Sequence, residues 1–180
     1  LQSALFDRQD LKRRPIFFAL GVIVFIAAYS TGAALPMTQQ EAELVTEEFT
    51  ERIEGIDSAG IFENNILAAL GMFVPGFGVG LGIYAGVSTG MVFNAFAIVY
   101  PSLEGVSPLS VLATPFGILE VFAYGLAISR SGILVHHFIK KKPWRQYIVI
   151  TLIEIGVALA ALLIGAQIEG QVIQDVDSTT

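Results

Sequence analysis

The chain has 180 residues, of which 54% are hydrophobic and only 14% charged, with a formal net charge of −6 and a mean hydropathy of +0.69. Ordinary soluble domains carry about 25% charged residues, so the composition excludes a water-soluble globular domain and describes an integral, multi-pass protein of the cell membrane. There is no cysteine, which excludes disulfides and thiol chemistry.

Residues 1–15 are polar and end in Leu11-Lys12-Arg13-Arg14-Pro15. Leu1, Leu5, Phe6 and Leu11 fit one face of a short interfacial helix. The chain opens on Leu1 rather than Met, which reads as a trimmed start. The run after Arg13 and Arg14 continues into a full span, unlike a cleavable signal peptide. Ile16 to Leu35 carries no charge, which is enough for one crossing of a hydrocarbon core about 30 Å thick. Pro15 suits the first helical position of that span.

Met37 to Asn65 changes character. Thr38-Gln39-Gln40-Glu41 has the form of a capping box. Ala42, Val45, Phe49, Ile53 and Ile56 then recur at helical spacing, and Glu43, Glu47, Glu48, Glu51 and Glu54 fill the other face. This predicts an acidic amphipathic helix outside the membrane over about 39–55. Its apolar stripe covers either the protein's own helix ends or a docked partner.

Ile66 to Tyr100 again carries no charge, and Pro75-Gly76-Phe77-Gly78-Val79-Gly80 interrupts it. Glycine and proline at this density break a helix, so two short spans are expected, about 62–79 and 83–100. Gly82, Gly86 and Gly90 make a smooth stripe for close helix approach. Pro108 opens a span to about Val135, with a kink expected at Pro115. Lys140, Lys141, Lys142, Trp144 and Arg145 follow, and a last span covers about 146–168, with Gly156, Ala160 and Gly165 as small contact positions. The tail from Glu169 is polar and acidic.

Lysine and arginine favour cytoplasmic loops. Two crossings by residues 62–100 put both basic clusters on one side and the acidic helix, Glu104 and the tail on the other. The expectation is therefore an all-α polytopic bundle over residues 1–180: five spans (about 16–36, 62–79, 83–100, 108–135 and 146–168), N-terminus in, C-terminus out. Tyr29, Tyr100, Trp144 and Tyr147 are expected as aromatic anchors at span ends.

Ionisable groups inside a membrane are costly and face the bundle interior. At about 1.5 Å of rise per residue, Glu120 lies about 22 Å from an inner boundary drawn at Val135 and Gln146. Asn94 falls at similar depth and Asn64 and Asn65 open the second span at the outer edge, so the four are expected to converge in the outer half as a buried polar or ion site. Arg130 and Glu154 match in depth nearer the inner boundary and are expected to pair. His136 and His137 are adjacent, point about 100° apart on a helix and make poor metal ligands. No phosphate loop, nucleophile–base set, metal motif or nucleotide fingerprint is present. No cofactor, metal, catalytic residue or nucleic-acid partner is therefore expected.

Phe62-Glu63-Asn64-Asn65, the glycine-rich double span ending near Asn94, and Pro115-Phe116-Gly117-Ile118-Leu119-Glu120 occur in the order seen in the stage II sporulation protein M family, which the chain resembles over about residues 16–168. That family's motif reads approximately Pro-His-Gly-x-x-Glu. Pro115, Gly117 and Glu120 are kept here, and Phe116 replaces the histidine, removing a titratable group beside Glu120. The resemblance implies a membrane scaffold that recruits partners at the cell envelope. Two functions are thus expected: a scaffold, homo-oligomeric through its small-residue stripes and binding an envelope protein, or a cation or proton channel or transporter subunit using Glu120 and the asparagines.

Overall fold

The computed structural model describes residues 8–141 and 145–177. Leu1, Leu5 and Phe6 of the expected interfacial helix, and Lys142 and Trp144 at the basic turn, lie outside the described residues. The described residues form seven α-helices: α1 (Arg8–Ala33), α2 (Gln39–Ile53), α3 (Ser58–Met72), α4 (Phe77–Val99), α5 (Leu109–Leu112), α6 (Pro115–Ile139) and α7 (Arg145–Asp177). A single 3₁₀ turn, Pro101–Leu103, separates α4 from α5. Four helices are long and apolar enough to cross a membrane, over Lys12–Ala33, Phe77–Val99, Pro115–Ile139 and Tyr147–Val172, and they point to a multi-pass membrane protein. Helix α3 has 15 residues and is not among them.

Helix α6 is the axis of the bundle. In its apolar stretch 61% of residues are buried, against 28% in α1 and 22% in α4 and in α7. From Val121 to Ser131 it is buried almost throughout, packing Ala123, Leu126, Ala127 and Ile128 into one core with Phe25, Met72 and Leu162. The outer helices turn large apolar side chains outward instead, among them Ile16, Leu20 and Ile23 of α1 and Leu152, Ile153 and Ile164 of α7. A surface of that kind is stable against hydrocarbon and costly against water.

Glycines set the tightest seams. Helices α1 and α4 run side by side in the same direction. Gly86 lies against Phe25 and Ala28, Gly90 lies on the Tyr29 carbonyl, and Gly32 lies on the Val87 backbone. Any side chain at Gly90 would collide with main chain. The stripe therefore serves packing within the chain. On α7 the reading differs, because Gly156 has open space around it and Ala160 is exposed. These two positions are not contacts within the protein.

Several boundaries differ from expectation for local reasons. The long uncharged run breaks at Phe73–Gly76, earlier than the glycine pattern indicates. Pro75 lacks the N–H that a helix interior needs, and Gly76 takes φ +81°, a left-handed value that favours glycine. Gly78 and Gly80 stay helical, and Gly78 is buried against the Met72 carbonyl and Ser131. Pro115 does not kink a continuous span. It sits at the first turn of α6, Thr114 caps that helix, and α5 is a separate single turn. The Thr114 hydroxyl donates to the Val111 carbonyl at 2.7 Å, which answers part of the break. Pro15 lies inside α1, which begins at Arg8, so it costs one helical bond near exposed Lys12 and Arg13. Tyr29 is fully buried, its hydroxyl donating to the Pro108 carbonyl at 2.9 Å, and Tyr147 is buried with its ring 3.8 Å from that of His137. Both tyrosines and His137 are therefore core, whereas Tyr100 is exposed.

Helix α3 begins beside α7, with Ser58 against Gly170, and ends beside the far half of α6, where the Val74 carbonyl accepts from the Ser131 hydroxyl at 2.8 Å. The α3–α4 hairpin thus runs from the end of the bundle that carries α2, Glu63 and Glu104 to the end that carries Lys12, Arg13, Lys140 and Lys141, and back. These are the acidic end and the basic end below. Around α6 the sequence of neighbours is α1, α4, α3, α7, and α1 and α7 make almost no contact with each other.

Candidate functional site: two polar clusters against the central helix

The cluster nearer the acidic end is built on the first turns of α6. Pro115 occupies a position where its missing N–H costs nothing. The Thr114 hydroxyl accepts from the Gly117 amide at 3.1 Å. Gly117 leaves room for the Val111 carbonyl and the Thr114 side chain, so α5 can fold back onto α6. These contacts fix Glu120 in the second turn. Its Oε1 accepts from Asn65 Nδ2 at 2.7 Å, and Asn65 Oδ1 accepts from the Tyr124 hydroxyl at 3.1 Å. Tyr124 lies four residues after Glu120, on the same helix face. The hydrogen-bonded cluster therefore holds one carboxylate, one amide oriented by two bonds, and one phenol. A second carboxylate, Glu169, stands at the same end of the bundle on α7, next to Gly170, which packs on Ser58 of α3.

Of the four residues expected to converge, Glu120 and Asn65 meet and two do not. Asn64 is exposed, because consecutive helical residues point about 100° apart and only one can face α6. Asn94 lies one turn beyond Gly90 on the α1-facing stripe, and its Nδ2 donates to the Leu35 carbonyl at 2.8 Å. It pins the chain just past the end of α1, at Leu35, to α4. Tyr124 joins the cluster instead, and Glu169 stands at the same end of the bundle on α7. The i, i+4 spacing carried the signal for Tyr124. Glu169 was masked by its place at the start of a polar tail.

The cluster nearer the basic end is an ion triad. Arg130 donates from Nε to Glu154 Oε2 at 2.7 Å and from Nη2 to Oε1 at 2.5 Å. Arg14 donates from Nε to Oε1 at 2.6 Å and from Nη2 to Oε2 at 2.9 Å, so two forks grip one carboxylate. Arg14 also donates from Nη1 to the Ser129 hydroxyl at 2.8 Å and from Nη2 to the Leu126 carbonyl at 3.3 Å. Side-chain exposure is 4% for Arg130, 12% for Glu154 and 16% for Arg14. Depth matching along two helices identifies Arg130 and Glu154 from the sequence. It misses Arg14, which reads as one more member of a basic cluster. The difference lies in the fold: Lys12 and Arg13 are exposed, and Arg14 turns inward across the α1/α7 opening.

No family model, curated protein or solved structure matches the chain. What is established is an all-helical protein with four candidate membrane spans and these two clusters. No group of three or more potential metal-ligating side chains occurs among the described residues.

Proposed function

We propose that the protein is a multi-pass membrane scaffold that holds an acidic recognition helix at one membrane face, in the manner the stage II sporulation protein M resemblance implies. The observation that supports this reading is α2. It is built to keep its shape and its place. A capping box joins Thr38 and Glu41, Ala42 and Thr46 are buried, and the Phe49 ring meets Phe96 of α4 edge-on at 5.8 Å. Glu43, Glu47, Glu48, Glu51 and Glu54 all remain exposed. An anchored helix with one acidic face suits docking of a basic envelope partner or of a further copy, and the reading assigns the chain no catalytic step.

This reading takes α3 as a fifth, short crossing, because the α3–α4 hairpin reaches from one end of the bundle to the other. Both basic clusters then lie in the cytoplasm and α2 lies outside. Single cysteines at Ser102 and Lys141 should label from opposite faces of sealed vesicles. Labelling from one face would remove the five-span topology.

A second reading, a cation or proton pathway, is favoured by Glu120, Asn65 and Tyr124 sharing one hydrogen-bonded site against α6. Proteoliposomes decide between the two. A scaffold gives no cation or proton flux above empty vesicles, and a photo-crosslinker at Glu47 gives a discrete adduct in native membranes that is lost when Glu43, Glu47 and Glu51 become Gln. Wild-type flux that Glu120→Gln abolishes would replace the scaffold reading with the pathway.

A further inference from the structure

The triad at the basic end is out of balance. Two guanidiniums carry two positive charges, and Glu154 supplies one negative charge. Each oxygen of Glu154 already accepts from both arginines, so the carboxylate has no free capacity. Among the residues whose side chains are described, no second acidic group pairs with either arginine. Arg130 uses two of its five N–H donors, and its Nη1 makes no bond among the described residues. A net charge next to hydrocarbon is costly unless a counter-ion neutralises it.

The surroundings say where that counter-ion enters. Helices α1 and α7 stand apart, and Arg14 bridges the opening between them. Arg14 is the most exposed member of the triad, and Lys12 and Arg13 stand exposed just before it. Arg14 lies where the apolar stretch of α1, Lys12–Ala33, begins, with Arg130 and Glu154 behind it in the apolar stretches of α6 and α7, and exposed Ile16 and Phe17 continue the edge along α1. Basic pockets between membrane helices recognise anionic headgroups in this way.

We infer that the α1/α7 opening at the basic end is a binding site for a phosphate-bearing anion, in the membrane the headgroup phosphate of an anionic lipid. Arg14 contacts the phosphate with its remaining Nη1 donor. Arg130 holds the second positive charge behind it, and Lys12 and Arg13 draw the anion in. Glu154 fixes both guanidiniums so that their forks stay oriented when the site is empty.

The test uses the full chain in a neutral detergent, followed by thermal unfolding and by native mass spectrometry of bound lipid. Phosphatidylglycerol should raise the melting temperature saturably, with a preference of about fivefold or more over phosphatidylcholine, the size expected for one uncompensated charge near the surface. Arg14→Gln should lose most of that preference, while Arg14→Lys, which keeps the charge, should retain part of it. Native mass spectra read the retained lipid directly, so a variant of lower stability still reports. A saturable rise with inorganic phosphate alone, equal to that with phosphatidylglycerol, would assign the site to a soluble phosphate rather than a lipid. Equal response to the two lipids would overturn the proposal, as would an unchanged preference in both Arg14 variants. So would a stable dimer in lipid-free detergent that Arg14→Gln dissociates, since a second copy would then supply the missing anion.

Discussion

The two ends of the bundle solve one problem in opposite ways. Each brings ionisable groups against α6 inside an apolar shell. At the basic end the solution is charge pairing: Glu154 accepts four hydrogen bonds from two arginines on separate helices. At the acidic end it is hydrogen bonding without an opposite charge: Glu120 accepts from Asn65, and no ion pair to it occurs among the described residues. A paired cluster ties α1, α6 and α7 together across an opening that little else spans. An unpaired one contributes little to holding helices, and it leaves a carboxyl group free to respond to what binds it. Stability is therefore expected to depend on the basic end and responsiveness on the acidic end.

The largest effect should come from Glu154→Gln. Removing one partner from a buried ionic cluster typically costs roughly 3–5 kcal/mol, because the remaining charge is left uncompensated. Here two guanidiniums would face each other. Thermal unfolding in detergent measures the loss. Replacing Arg14, Arg130 and Glu154 together by apolar residues of similar volume should recover most of it, since an apolar cluster has no charge to strand. A Glu154→Gln protein that melts like wild type would end the contrast between the two ends.

How much of this contrast the sequence carries is uneven. Hydropathy finds the four long apolar helices, but it sets the bounds of the middle ones several residues away from Ser58–Met72, Phe77–Val99 and Pro115–Ile139. The acidic helix expected over about 39–55 occurs at Gln39–Ile53, with its capping box. Depth arithmetic also pairs Arg130 with Glu154. What it lacks is rotation about each helix axis. Asn94 and Glu120 match in depth, yet Asn94 faces α1. Arg14 sits beside two residues of the same charge, and only the inward turn of its side chain separates it from them. The break at Phe73–Gly76 was legible in Pro75, but the glycines that follow it pulled the expected helix end past it, since a packing glycine and a breaking glycine look alike in sequence.

A middling effect is expected at the acidic end from Asn65→Ala. Glu120 would lose its amide donor and Tyr124 its acceptor, and an unsatisfied buried polar group costs about 1–3 kcal/mol. Glu120→Gln should cost less, because a glutamine amide keeps both the shape and an acceptor oxygen for Asn65. The order of the two melting temperatures is the readout. If Glu120→Gln proves the more damaging, the negative charge itself is structural, and the acidic end resembles the basic end after all.

The smallest effect concerns the exposed start of α2, where the acidic end meets water. Glu41 accepts from the Thr38 amide at 2.8 Å and from the Thr38 hydroxyl at 2.7 Å, and these bonds, the amide first, hold its carboxyl below the usual carboxylate range. The folded value is depressed, so the contribution of the cap is present above the unfolded value of about 4.3. It is lost as pH falls through the folded value. Hydrogen exchange of the amides at the start of α2, corrected for the intrinsic pH dependence of exchange, should show constant protection from neutral pH to about that point and a decline below it. Glu41→Gln should flatten the profile, because glutamine accepts the same bonds without titrating. Thr38→Ala should lower protection at every pH, because the Glu41 amide loses the hydroxyl that accepts from it at 3.3 Å. A wild-type profile without the acid decline, or the same decline in Glu41→Gln, would show that α2 is held by its packing, with Ala42 and Thr46 buried and Phe49 against Phe96, and that its cap is incidental.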